Sequence, residues 1–174
     1  MKAVLYIHGK DGSPTESEHY KPLFPDCDVI GLDYQKFTPW ETGKEIHDAI
    51  TELNSKYENI IIIANSIGAF FTMSGGVDEL ISKAYFISPV VDMQKLNGVE
   101  LTGDWLKYVQ TNHVIWNAPT HILYGSSDCL ISLEIIKDFT QKHNATLTVV
   151  ECGEHWFHTK EQMRFLDNWI KTVR

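Results

Sequence analysis

Ile61-Ile62-Ile63-Ala64-Asn65-Ser66-Ile67-Gly68-Ala69-Phe70 is the stretch on which the fold turns. Its first half, extended back to Asn59, is β-branched and apolar on both faces, the pattern of a parallel strand covered by helices on each side. An apolar helix begins directly after Ser66. Between strand and helix stands Ala64-x-Ser66-x-Gly68, a serine with small residues on either side. A sharp strand-to-helix turn that holds a nucleophile in a strained backbone conformation needs such neighbours, because it leaves no room for larger side chains. The turn lifts the hydroxyl above the sheet, beside helix N-terminal amides that can stabilise an oxyanion. Taken alone, the same residues also read as a serine N-cap on an ordinary helix.

The rest of the chain repeats this strand-then-helix grammar. Short apolar runs occur at Ala3–Ile7, Asp28–Asp33, Ala84–Ser88, Thr120–Tyr124 and Ala145–Val150, each bounded by Gly, Pro, Asn or Asp. Helical spacing places Ile46, Ala49, Ile50 and Leu53 on one face of a helix expected from Thr42, as its cap, to Tyr57. Two more helices are expected over Ser132–His143 and Lys160–Val173. Six strands separated by helices predict an α/β domain with an open, mostly parallel sheet and right-handed crossovers. Residues 90–118 lack a sustained period and carry Trp105, Tyr108 and Trp116 near His113. A long irregular connection of this kind covers or lines a site, or it tucks its aromatics into the core around a short helix at 102–110.

Composition removes several classes of function. The chain has 174 residues, a length that predicts one domain with an ample core. With 15 basic and 23 acidic residues it carries a net charge of −8, and no Lys/Arg cluster opposes that, so nucleic-acid binding is not expected. Apolar runs are far shorter than the ~20 residues a membrane span requires. His8-Gly9 follows the first apolar run with no cleavage-site pattern, so no signal peptide is expected and the reading is cytoplasmic. Cys27, Cys129 and Cys152 are too few for a disulfide framework, and Cys129 reads as a buried, inert thiol.

A serine needs a base and an orienting acid before it can attack a carbonyl. Leu123-Tyr-Gly125-Ser-Ser-Asp128 places a carboxylate just beyond the fifth strand, and Gly153-Glu-His155-Trp-Phe places a histidine just beyond the sixth. Ser66, Asp128 and His155 thus all fall at carboxyl ends of parallel strands, where open α/β sheets bind ligands. Asp92, just past the fourth strand, is the alternative acid. The first strand ends in Ile7-His8-Gly9-Lys10-Asp-Gly12, a turn whose backbone can face the serine. The amides of Lys10 and Ile67 are therefore the expected oxyanion donors. His155-x-x-His158 hints at metal ligation, but no third ligand matches it, and His158 reads as a surface or supporting residue.

His8-Gly9, Ala64-Asn-Ser66-Ile-Gly68, Gly125-Ser-Ser-Asp128 and Gly153-Glu-His155 resemble, in order, the blocks of a small α/β-hydrolase of the serine-hydrolase type. Alanine at position 64 departs from the family's usual glycine. The resemblance covers nearly all of residues 1–174 and implies sheet order 2-1-3-4-5-6 without the family's N-terminal antiparallel strands, as in its minimal members. It also implies hydrolysis of a small-molecule acyl substrate through an acyl-enzyme, with no cofactor and no metal. A carboxylesterase is the specific expectation, with thioesterase and amidase as alternatives. A non-catalytic binding module on the same fold is a rival from another class. A flavodoxin-like or nucleotide-binding domain is disfavoured, since neither glycine turn matches a phosphate-cradling motif. Residues 90–118 would form a cap, and Trp105, Trp116 and Trp156 would wall a substrate pocket.

Overall fold

The computed structural model describes residues 1–174. Six strands, β1 (Lys2–Ile7), β2 (Cys27–Gly31), β3 (Asn59–Asn65), β4 (Lys83–Ile87), β5 (Thr120–Gly125) and β6 (Ala145–Val150), form one sheet in the order β2-β1-β3-β4-β5-β6. Every pairing is parallel. Four α-helices connect successive strands from β2 onward, α1 (Pro39–Asn54), α2 (Ile67–Ser74), α3 (Gly103–Thr111) and α4 (Leu133–Lys142), and a fifth, α5 (Lys160–Val173), follows β6. A 3₁₀ segment, Pro14–Leu23, follows β1, and a shorter one, Met93–Lys95, follows β4.

The period of two along each strand divides the interior into two cores. Leu5 and Ile7 of β1, Ile60, Ile62 and Ala64 of β3, and Phe86 of β4 face one side, where they meet Ile46 and Ile50 of α1, Phe70 and Phe71 of α2, and Ile136 of α4. Val4, Tyr6, Ile61, Ile63, Tyr85 and Ile87 face the other, against Tyr20 and Leu23 of the 3₁₀ segment and Leu166, Trp169 and Ile170 of α5. Both faces of the sheet are covered, which is why the central strands are apolar throughout.

The helix ends follow local chemistry. α1 begins three residues before Thr42, because Thr38 is the cap: its Oγ1 accepts from the Glu41 amide, and Pro39 occupies the first helical position. Thr42 is buried instead, its hydroxyl donating to the Lys36 carbonyl. α5 opens with a reciprocal capping box between Thr159 and Gln162. The irregular 90–118 segment contains α3, within one residue of the helix expected there.

The order of strands fixes where a site can lie. From β1 the chain moves outward to β2, then returns across β1 to β3 and proceeds the other way. The carboxyl ends of β1 and β3 therefore flank the point where the winding reverses, and the loops leaving them diverge to open a crevice. Ile7 pairs with Ala64 in that register, so His8-Gly9-Lys10 and Asn65-Ser66 emerge side by side.

Candidate active site

Ser66 stands between β3 and α2 with φ 54° and ψ −122°, a left-handed conformation that an L-residue adopts only under constraint. The constraint is visible on both sides. The Ser66 amide donates to the Ile87 carbonyl and the Ser66 carbonyl accepts from the Val90 and Ala69 amides. Gly68 is pressed against the end of β1: a Cβ there would lie 2.6 Å from the His8 carbonyl oxygen and 2.7 Å from that of Ile7. Only glycine lets α2 approach so closely. Four non-glycine residues have positive φ, Asp11, Ser66, Ser88 and Cys152, and all lie in turns just past the carboxyl ends of strands. Strain is concentrated at the edge of the sheet where the crevice opens.

The structure brings Ser66, His155 and Asp128 into one relay. Ser66 Oγ is 2.8 Å from His155 Nε2, and His155 Nδ1 is 2.7 Å from Asp128 Oδ2. A carboxylate only accepts, so Nδ1 carries the proton and Nε2 presents its lone pair to the serine hydroxyl. The Asp128 side chain is 0% exposed, and its second oxygen accepts from the Leu130 amide at 2.8 Å and the Ile131 amide at 3.3 Å. Those amides fix the carboxylate and compensate its burial.

The loops carrying Asp128 and His155 come from adjacent strands and touch at two glycines. A Cβ on Gly125 would lie 2.3 Å from the Gly153 carbonyl oxygen. The Ser127 amide donates to that same carbonyl at 2.8 Å, and the Cys152 amide donates to Ser126 Oγ at 2.8 Å. Asp128 and His155 are thus set on a stapled pair of turns, and the residues that staple them are the glycines and serines of the two motifs, with the Cys152 amide. Asp92 is elsewhere: it caps the short 3₁₀ turn through the Gln94 amide and pairs with Lys95.

The turn after β1 lies over Ser66. A Cβ on Gly9 would be 3.1 Å from Ser66 Cβ, which places the Gly9–Lys10 backbone next to the serine. The Ile67 amide opens α2 and is one of the first-turn donors that a helix leaves without an intrahelical acceptor. His8 holds the turn in place. Its Nδ1 donates to the Gly9 carbonyl at 2.8 Å, its ring stacks on Tyr34 at 4.1 Å, and its own carbonyl accepts from the Tyr34 hydroxyl at 2.9 Å. Burial pushes the Tyr34 phenol well above its ordinary range, with the nearby Glu16 adding to the shift, so that hydroxyl stays a donor.

The three tryptophans go to three different places. Trp105, on α3, packs on Phe70 and Phe71 of α2 and on Trp40 of α1. A chain of aromatic contacts runs from it through Phe71 and Tyr34 to His8. Trp156, beside His155, is 68% exposed and stacks on His158. Trp116 does not wall a pocket: it is 1% exposed, packed on Phe86, with its indole N–H donated to Thr120 Oγ1. It stands just before β5, and its carbonyl accepts from His143 Nδ1 at 2.9 Å, which draws the segment inward as it enters the sheet. Cys129 also differs from expectation, lying exposed on the loop after Asp128 because the carboxylate, not the thiol, turns inward. His158 donates Nδ1 to the Trp156 carbonyl and lies 3.8 Å from Glu154.

Sequence reading passed over Glu16 and Tyr6. The Tyr6 hydroxyl donates to Glu16 Oε2, and both lie close to the β1 turn. No motif marks them; the one signal was a tyrosine immediately before Ile7-His8 on an otherwise aliphatic strand.

No family model matches the chain. Over 55 residues it is 40% identical to the protein described as "Putative esterase/lipase 3" of Mycoplasma genitalium, a stretch that makes up 32% of this chain and 19% of that protein. Among solved structures, Est1E from Butyrivibrio proteoclasticus superposes with a TM-score of 0.78 at 16% identity, covering 99% of this chain and 86% of that one. Thermogutta terrifontis esterase 2, phosphonylated by cyclosarin, gives 0.76 at 15% identity, with 99% and 83% covered. Mouse alpha/beta hydrolase domain-containing protein 10 gives 0.74 at 12% identity, with 98% and 88% covered. Likeness of this extent at such low identity establishes architecture, and with the strand order and the crossing point at β1 and β3 it shows that the chain is built on the α/β-hydrolase fold.

Proposed function

We propose that the protein is a serine hydrolase that cleaves a small carboxylic ester through an acyl-enzyme intermediate. The observation that carries this reading is the aligned relay, 2.8 Å from Ser66 Oγ to His155 Nε2 and 2.7 Å from His155 Nδ1 to Asp128. Ser66 attacks the carbonyl carbon as its proton passes to His155 Nε2. Asp128 holds the imidazole tautomer and stabilises the imidazolium that forms. The Lys10 and Ile67 amides receive the negative oxygen of the tetrahedral intermediate. His155 then gives its proton to the departing alcohol oxygen. A water, deprotonated by the same nitrogen, releases the carboxylic acid and restores Ser66.

The 90–118 segment acts as a cover on the acyl side. Support comes from the aromatic contacts that link Trp105 of α3 to the Phe70–Phe71 pair on the helix that Ser66 introduces. The test is hydrolysis of p-nitrophenyl acetate by purified protein. Wild type releases p-nitrophenol, while Ser66→Ala falls to the rate of protein-free buffer. Equal rates in the two proteins would remove Ser66 from the chemistry.

A further inference from the structure

A cavity of about 330 Å³ opens on the face of the sheet covered by the 3₁₀ segment and α5, and the relay does not use it. Asn65, immediately before Ser66, and Trp156 and Phe157, immediately after His155, form part of its wall, so it adjoins the reacting atoms. Tyr6, Tyr20 and Glu16 form the side nearest the β1 turn. It lies across the sheet from the Trp105 cluster.

Its electrostatics have one sign. No lysine or arginine lines it. Glu16 Oε2 takes the Tyr6 hydroxyl, and Oε1 has no protein donor. The two histidines at its rim are each beside an acid, His19 at 2.7 Å from Asp167 and His158 at 3.8 Å from Glu154. Tyr6 and Tyr20 close the floor, their rings 5.3 Å apart and buried, while Trp156, covered on one face by His158, is otherwise largely open to solvent. A carboxylate with an unused oxygen near an open indole is the chemistry that recognises an ammonium group, through Coulomb attraction and the negative face of the ring.

We propose that this cavity is a subsite for a cationic group of the substrate, an ammonium carried on the leaving-group side of the ester and held by Glu16 with the Trp156 ring. The inference rests on the serine-hydrolase reading for the word substrate, though not for the cation site itself. The leaving-group side follows from His155. That residue must reach the departing oxygen, and the chain continues from it directly into the cavity wall.

Choline and its neutral isostere 3,3-dimethylbutanol provide the test, titrated by calorimetry into Ser66→Ala protein so that binding is read without turnover. Choline is expected to bind at least ~10-fold more tightly than the neutral alcohol. Glu16→Gln, added to the same background, should bring that preference close to 1, and Trp156→Ala should reduce it. Both side chains are largely exposed, and melting temperatures verify that each variant is folded. Equal binding of the two ligands, or a choline preference that survives both substitutions, would overturn the subsite. In wild-type protein, kcat/KM for a choline ester should exceed that for the matching 3,3-dimethylbutyl ester. An enzyme that hydrolyses both equally well refutes the subsite alone. Glu16-dependent choline binding by a protein that hydrolyses neither ester refutes the hydrolase reading and leaves the cation site standing.

Discussion

Ser66 is held at φ 54° by hydrogen bonds to the backbone of Ile87, Val90 and Ala69, and its side chain contributes little packing. Ser66→Ala is therefore expected to melt like the wild type while losing turnover, a pair of readouts that separates chemistry from folding. Asp128→Asn removes the acceptor that sets the His155 tautomer. Turnover should fall on the order of 10⁴-fold by analogy with the Ser-His-Asp template, with Asp92→Asn nearly silent. The reverse ranking of kcat in the two variants would move the acid to the fourth strand. These residues were legible in the sequence because each sits in a short motif dictated by local geometry: small residues beside a strained serine, glycines before an acid and a base. Glu16 was not legible. Its nearness to Tyr6 arises from the folding of the 3₁₀ segment back over β1, a tertiary contact that no spacing encodes.

The turns after β5 and β6 form a paired element whose rigidity the relay depends on. Gly125→Ala puts a methyl 2.3 Å from the Gly153 carbonyl oxygen, a backbone obstacle that cannot rotate away. The variant should lose at least ~1–3 kcal/mol of stability, measured by denaturant unfolding, and its kcat should fall as Asp128 and His155 separate. Wild-type stability with wild-type kcat would mean that the two loops are not stapled at this point. Strands were readable to within a residue or two because their apolar runs are short and bounded by turn residues. The start of α1 was misplaced because Thr38 and Thr42 are both plausible caps one turn apart. Pro39, favoured at a first helical position, decides for Thr38. The 3₁₀ segment at Pro14–Leu23 escaped notice because its interior Pro22 and polar composition present no helical period.

Across the whole molecule, the sheet separates two aromatic regions, and the two central tryptophans of the 90–118 segment belong to different roles within one of them. Trp116→Ala should cost about 3–5 kcal/mol of unfolding free energy, since it removes a buried indole and leaves Thr120 without that donor. Trp105→Ala, half-buried between α1 and α2, should instead shift the ratio of kcat/KM between short and long acyl esters while costing less stability. A chain-length profile identical to the wild type would remove α3 from the acyl pocket. The difference between these tryptophans could not be read from sequence, because both stand in the same aperiodic segment and only the path of the chain into β5 sends one of them inward. By contrast the strand order was accessible, since alternating strands and helices with right-handed crossovers leave few arrangements open. What the arrangement achieves is a serine at the point where the winding reverses, with His155 and Asp128 delivered to it from the two strands at the far edge. Whether that serine is activated is decided by covalent labelling with a fluorophosphonate, followed by mass-spectrometric mapping of the adduct. One adduct at Ser66, forming rapidly in wild type and at least ~100-fold more slowly in His155→Ala, is the predicted result. An unlabelled Ser66, or labelling that proceeds at the same rate without His155, would contradict it.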